Sequence, residues 1–294
     1  MATGRPYRYS PLPARPRLEW PNGARLAAYV TVNVEYYESG KPALSLFPPT
    51  SSFVPDPLNE GWRDYGPRVG IWRLIDVLDR LELPVTAAVN SDVCSEYPEI
   101  VEAGVQRGWA WVAHGKNNST LQTGMDEDAE RAYVVDVLDT LEAATGARPR
   151  GWLGPALTET PATLRILADL GLDYVLDWAH DDQPAPLDVP SGRLVTLPYS
   201  SELNDIPAFV LHGMTGAEFA GEIVSAFDFL YAASETTGLV FSLGLHPFLV
   251  GQPQRIGHLE RALEHICARD DVWLTTADSI ASAFLDADMT SAPA

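Results

Sequence analysis

Three ionisable residues each stand directly after an apolar run: Glu35 after YVTVNV, His114 after WAWVA and His246 after VFSLGL. A carboxylate or an imidazole in such a place is expensive to bury without a partner, so these three are candidates for proton transfer or charge stabilisation. Four residues beyond His114, where a metal-binding pair would put a second histidine, the chain has Asn118. His180 and Asp181 follow another short apolar run, LDYVLDW, and are open candidates. His258 and His265 lie among charges on a helical stretch and face solvent, and His212 is undecided.

These residues need elements to position them. RLAAYVTVNVE (25–35) has the β-branched density of a buried strand, and VGIWRLIDVLDRLEL (69–83) repeats apolar residues at helical spacing. The alternation continues through strands at 84–90, 109–114, 148–153, 172–178, 193–199, 238–246 and 272–276. Helices are expected at 98–108, 126–146, 160–171, 217–234 and 255–268. Acids open 126–146 and Gly146 closes it, as the two ends of a helix prefer. Seven or eight strands alternating with helices predict an α/β fold with a parallel sheet closed into a (β/α) barrel. The expected organisation is an extension over 1–24, one catalytic barrel over 25–286 and a tail over 287–294. Residues 36–68 carry six prolines without clear periodicity and read as a long lid or binding loop.

In parallel barrels the chemistry lies at the C-terminal ends of the strands. Glu35, Asn90, His114, Asp177, Asp182, Tyr199, Asn204, Asp205 and His246 all fall there. Asn90, Asp177 and Asp182 are equally well explained as caps of the following helices.

Forty Asp and Glu against twenty Lys and Arg leave a net charge of −20, which repels nucleic acid and anionic membranes. No stretch has the apolar length of a signal peptide or a membrane span, which predicts a soluble cytoplasmic protein, with a homo-oligomer left open. Cys94 and Cys267 form no CxxC and are expected as small buried side chains. There is no GxSxG, HExxH, Walker loop or GxGxxG, so serine hydrolases, zincins, kinases and dinucleotide enzymes lose their support.

The segments VNVE (32–35), DYGPRVGIWRLIDVL (64–78), WVAHG (111–115), RPRGWLGPALTETPATLRIL (148–167), LPYSSELND (197–205) and GLHPFLVGQPQR (244–255) together resemble the polysaccharide deacetylase superfamily. They resemble most the branch of metal-independent-type allantoinases and cyclic imide hydrolases. The resemblance implies a distorted barrel of the NodB-homology kind, with Glu35 at the acidic position, His114 at the first histidine and His246 at the late histidine. The chain departs from the sugar deacetylases at Asn118, which replaces the second histidine, and at WLGP (152–155), which lacks their arginine. An amide oxygen is a poor zinc ligand beside imidazole. The expectation is therefore no cofactor, or a divalent metal such as zinc held weakly by Glu35 and His114.

Hydrolysis of an amide-like bond needs an activated water, stabilisation of the carbonyl oxygen and a proton for the leaving nitrogen. The expected assignment gives Glu35 the water, His246 the nitrogen, and His114 the carbonyl or the metal. Asn204 and Asp205 are candidates to hold the NH and C=O groups of a small ring. Tyr36, Trp62 and Trp152 are candidates for its apolar walls, with Asn118 beside them. For Asn204, Asp205, Tyr36, Trp62 and Trp152 a packing role is the alternative. The expected activity is hydrolysis of a small cyclic amide, imide or ureide. N-deacetylation of an amino sugar or glycan is the alternative, and a non-catalytic binding protein on the same barrel is a third class.

Overall fold

The computed structural model describes residues 4–291, the last four by backbone alone; the first three residues of the extension and 292–294 of the tail lie outside the described residues. The nine residues of β1 (Leu26–Val34) are all buried. Such a strand must be covered on both faces and along both edges. Its edges pair in parallel with β2 (Val85–Val89) and β8 (Leu239–Leu245). From β2 the sheet continues in parallel through β3 (Ala110–Ala113), β4 (Gly151–Trp152), β5 (Tyr174–Val175) and β7 (Val195–Thr196). β6 (Ala185–Pro186) adds an antiparallel edge to β7, and β9 (Val272–Leu274) pairs with the start of β1.

The α/β fold with a mostly parallel, curled sheet is as expected. Among the described residues eight strands are parallel, within the expected seven or eight, the antiparallel β6 is a ninth, and the closure differs. β5 and β7 are two residues each, too short to carry a ladder round to β8. The seam is crossed by single bonds instead: Val240 N–H to the Asp182 carbonyl at 2.8 Å, Ser200 N–H to Ser242 Oγ at 2.9 Å, and Gly244 N–H to the Leu203 carbonyl at 3.0 Å. The result is a half-barrel with a stitched edge.

Helices α4 (Pro98–Gln106), α5 (Glu127–Thr145), α7 (Gly216–Ala233) and α9 (Pro253–Cys267) lie close to their expected spans. Asp126 caps α5 by accepting from Ala129 N–H at 2.9 Å, and Gly146 ends it at φ 75°. Residues 36–68 hold more structure than their sequence suggests. Asp56 caps a helix, Pro57–Tyr65, that runs through a π turn at Gly66–Gly70 into Ile71–Arg80. The overlooked signal is Asp-Pro, a capping side chain followed by the residue best suited to a first helical position.

The expected tail is mostly helical, since Ala277–Ser291 forms one helix that takes in residues 287–291. Residues of the extension run along the barrel: Trp20 is buried, with its indole N–H on the Leu239 carbonyl at 2.9 Å, and Arg15 pairs with Asp181. Cys94 and Cys267 are free and half-buried rather than fully buried. Among the described residues no helix is long and apolar enough to cross a membrane.

Candidate active site

A cavity of about 260 Å³ opens where β1, β3 and β8 end. Glu35, His114 and His246, one from each strand end, meet on it with side chains no more than 4% exposed. The Nε2 atoms of both histidines approach the same oxygen, Glu35 Oε1, at 3.3 Å for His114 and 3.5 Å for His246. Glu35 Oε2 accepts from the Tyr37 hydroxyl at 2.6 Å.

The far side of each ring fixes its tautomer. His114 Nδ1 lies 2.7 Å from the Leu153 carbonyl, which can only accept, so Nδ1 carries the hydrogen and Nε2 of the neutral ring carries the lone pair. His246 Nδ1 lies 2.6 Å from Asp205 Oδ1, and His246 N–H donates to Asp205 Oδ2 at 2.7 Å. Burial alone would lower the His246 pKa, but the charges of Glu35 and Asp205 and their hydrogen bonds push it up to about 10. Burial likewise works to raise Glu35, yet the His246 charge and its hydrogen bond hold the carboxyl well below the usual range. At neutral pH the site therefore holds an ionised Glu35 against a protonated His246.

Asn118 has a settled orientation. Tyr36 N–H donates to Asn90 Oδ1 at 2.8 Å, which turns the Asn90 amide nitrogen toward the His114 carbonyl and toward Asn118 Oδ1, 3.0 Å away. With its oxygen engaged, Asn118 presents its nitrogen to Glu35 Oε1 at 2.5 Å. Asn90 is thus fully buried as an orienting residue and caps nothing with its side chain.

The cavity floor is polar. Asn33 and Asn204 both reach the Tyr199 hydroxyl, at 3.1 and 3.2 Å. The walls are apolar, from Leu44, Leu153, Leu157, Ile206 and Pro207.

Residues 63–175 match the family model described as polysaccharide deacetylase. That stretch is similar to a polysaccharide deacetylase domain. A Schizosaccharomyces pombe protein named provisionally as a polysaccharide deacetylase is 26% identical, over 90% of this chain and 92% of its own. A crystal structure described as a probable polysaccharide deacetylase from Pseudomonas aeruginosa superposes with a TM-score of 0.83 at 28% identity, covering 92% of this chain and 95% of the other. That of PuuE allantoinase superposes at 0.82 and 27%, covering 92% and 94%. These likenesses place the chain among hydrolases of carbon–nitrogen bonds other than peptide bonds.

Likeness to deacetylases raises the question of a divalent metal, and the residues present do not fit one. Asn118, in place of a second imidazole, has its oxygen turned to Asn90 and its N–H₂ on Glu35, so it presents a donor rather than a ligand atom to the acid. Among the described residues no group of three His, Cys, Asp or Glu side chains is arranged to hold an ion. Glu35 and His114, the expected weak pair, are left as two ligands. Dialysed protein should therefore carry well under one zinc per chain by elemental analysis. A full equivalent that leaves together with activity on chelation would require the site to be redrawn.

Four other expectations are corrected. Tyr36 turns its ring to Tyr97, at 5.9 Å, and contributes only backbone groups to the site. Trp152 is fully buried in the core behind β4. Trp62 stacks edge-on against Phe248, at 5.0 Å, and Phe248 in turn meets His246. Asp205 holds His246 and lines no part of the cavity, whereas Asn204 does. His180 stacks on Tyr7 at 3.7 Å and Asp181 binds Arg15, so both stand outside the cavity.

The reason for the first two misses is strand alternation, in which neighbouring residues face opposite ways. Asn33, Glu35 and Tyr37 line the cavity at spacing two, and Tyr36 between them faces away. Trp152 and Leu153 divide in the same manner. Tyr37 was legible from that period and was overlooked.

Proposed function

We propose that this domain opens a small cyclic amide, imide or ureide. The observation that carries the reading is the cavity itself: about 260 Å³ with a polar floor and apolar walls, below the roughly 300–1,000 Å³ usual for drug-sized ligands. Leu44, from the long loop after β1, forms part of the wall, and the loop is pinned over the site because Arg63 Nη1 donates to the Leu44 carbonyl at 2.6 Å. A planar five- or six-membered ring suits such a space, with its NH and C=O edge on the Asn33, Tyr199 and Asn204 floor. An extended glycan would need an open groove. The net charge of −20 also disfavours acidic cell-wall polymers.

The protonation states suggest a division of labour different from the one expected from sequence. A carboxylate with both oxygens engaged and a strongly lowered pKa is a weak base. His114 Nε2, with its lone pair toward the cavity side of Glu35, is the better acceptor for the proton of the attacking water. As the C–O bond forms and the C–N bond breaks, His246 gives its Nε2 proton to the leaving nitrogen. Glu35 stays ionised, stabilising whichever ring is protonated, and Asp205 keeps His246 in the required orientation.

Ring opening of dihydrouracil, hydantoin, succinimide, phthalimide and allantoin should be compared with acetate release from chitin oligomers and N-acetylglucosamine. We expect kcat/KM for at least one ring to exceed that for every acetylated sugar by about 10²-fold or more. Faster acetate release would replace this reading with N-deacetylation, the activity in the names of several relatives.

A further inference from the structure

Two acids behind the cavity wall take no part in the chemistry above. Asp177 follows β5, and Glu159 lies on the segment that leaves β4. Asp177 Oδ1 accepts Gly154 N–H at 2.7 Å, while its Oδ2 is buried with no donor among the described residues. Glu159 Oε1 accepts the Trp178 indole N–H at 3.0 Å. The charges acting on the pair are all negative: that of Glu159 on Asp177, and that of Glu130 in α5 on Glu159. His180 is nearby, with Nδ1 on the Trp178 carbonyl and its ring on Tyr7, and is not among the groups acting on either acid.

Two buried carboxylates without a cation cannot both ionise cheaply. Burial, then the partner's charge, raises Asp177 well above its ordinary value, and burial pushes Glu159 up to about 7. The pair keeps a proton at neutral pH.

What depends on it is the wall. Ala156 and Leu157 both hold the left-handed conformation, at φ 54° and 53°, which side-chain-bearing residues adopt only when the surroundings impose it. Both residues line the cavity, and Leu153 in the same turn supplies the carbonyl that fixes His114. The tether from outside this turn to Gly154 N–H is Asp177.

We propose that Asp177 is a positioning residue: through Gly154 it holds the strained Leu153–Leu157 wall, and with it His114. The catalytic readout of this idea rests on the function proposed above, and its thermodynamic readout does not.

Asp177→Asn keeps an acceptor for Gly154 and a donor for Glu159, so it imitates the protonated pair; Asp177→Ala removes both. On whichever substrate is turned over, kcat should fall about 10-fold or more in the alanine variant and stay within about threefold in the asparagine variant. The His114 Nδ1–H proton resonance should move only in the former. Equal losses in both variants, or an unmoved resonance in Asp177→Ala, would overturn the positioning role.

Denaturant unfolding tests the shared proton without any substrate. A carboxyl whose pKa is raised on folding costs stability as pH rises from its unfolded value toward its folded one. Here that window runs from the ordinary 3.8 of Asp and 4.5 of Glu to about 7 and beyond. Between pH 5 and 8 the unfolding midpoint of the parent should fall relative to that of Asp177→Asn, and Glu159→Gln should behave like Asp177→Asn. Parallel midpoints across that range would show that both acids are ionised and that no proton is shared.

Discussion

His246→Asn is expected to lower kcat by about 10²-fold or more, because it removes the imidazolium proposed to protonate the leaving nitrogen. Asparagine keeps much of the volume beside Phe248 and leaves the fold intact. Glu35→Gln should cost a similar factor, with an added signature. Glu35 is one of two carboxylates that keep His246 protonated, so its neutralisation lowers the imidazolium pKa from about 10. The alkaline limb of the residual pH–rate profile should therefore move to lower pH in Glu35→Gln. Activity within tenfold of the parent in either variant, measured with folding verified by circular dichroism, would take that residue out of the mechanism. An unmoved alkaline limb would show that Glu35 and His246 are not electrostatically coupled.

Gly70→Ala should be the most damaging change outside the cavity. A Cβ on Gly70 would lie 2.0 Å from the Pro247 carbonyl oxygen and 2.7 Å from its carbon. Both are backbone atoms of the residue after His246, so neither can swing aside. Overpacking of this kind costs about 1–3 kcal/mol and more when backbone must move; at about 3 kcal/mol it lowers Tm by about 5 °C in a chain this long. Because Pro247 must shift, His246 shifts with it, and kcat should fall about tenfold beyond any loss of folded protein. Gly61→Ala is the control, since it also lies in a helix but would meet nothing within 4 Å. There alanine should be neutral or stabilise by up to about 1 kcal/mol. Calorimetry on the two variants separates close packing from helix propensity, and equal melting temperatures would refute the packing argument.

How much of this could be read from the chain follows from where each signal resides. Long elements announced themselves: β1 through its unbroken apolar run, α5 through its acidic start and Gly146. The three residues that meet in the cavity were visible because each ends an apolar strand, so its place was set by the strand and needed no knowledge of loops. Asp205 was seen at the site but given the wrong partner, since a carboxylate that grips an imidazole and one that grips a ligand look alike in sequence. The short strands β5 to β7 and the seam were not legible. Two-residue pairings have no periodicity, and the bonds that stitch Ser200 and Leu203 to β8 depend on a loop path that no local pattern encodes. The Asp177–Glu159 contact was hidden for the same reason, and Asp177 read equally well as a helix cap.

The pairing of β1 with β8 has a consequence for how the protein comes into being. β8 is nearly the last strand made, and until it emerges β1 offers one long, apolar, unpaired edge along residues 26–32. The folding nucleus cannot be local, because the central strand waits for a partner from the far end of the chain, and such high contact order slows folding. A nascent or C-terminally truncated chain would contain Glu35 and His114 yet no His246, and would expose the edge most prone to pair with a neighbour. Reactivity and protection from aggregation thus arrive together, with the same strand.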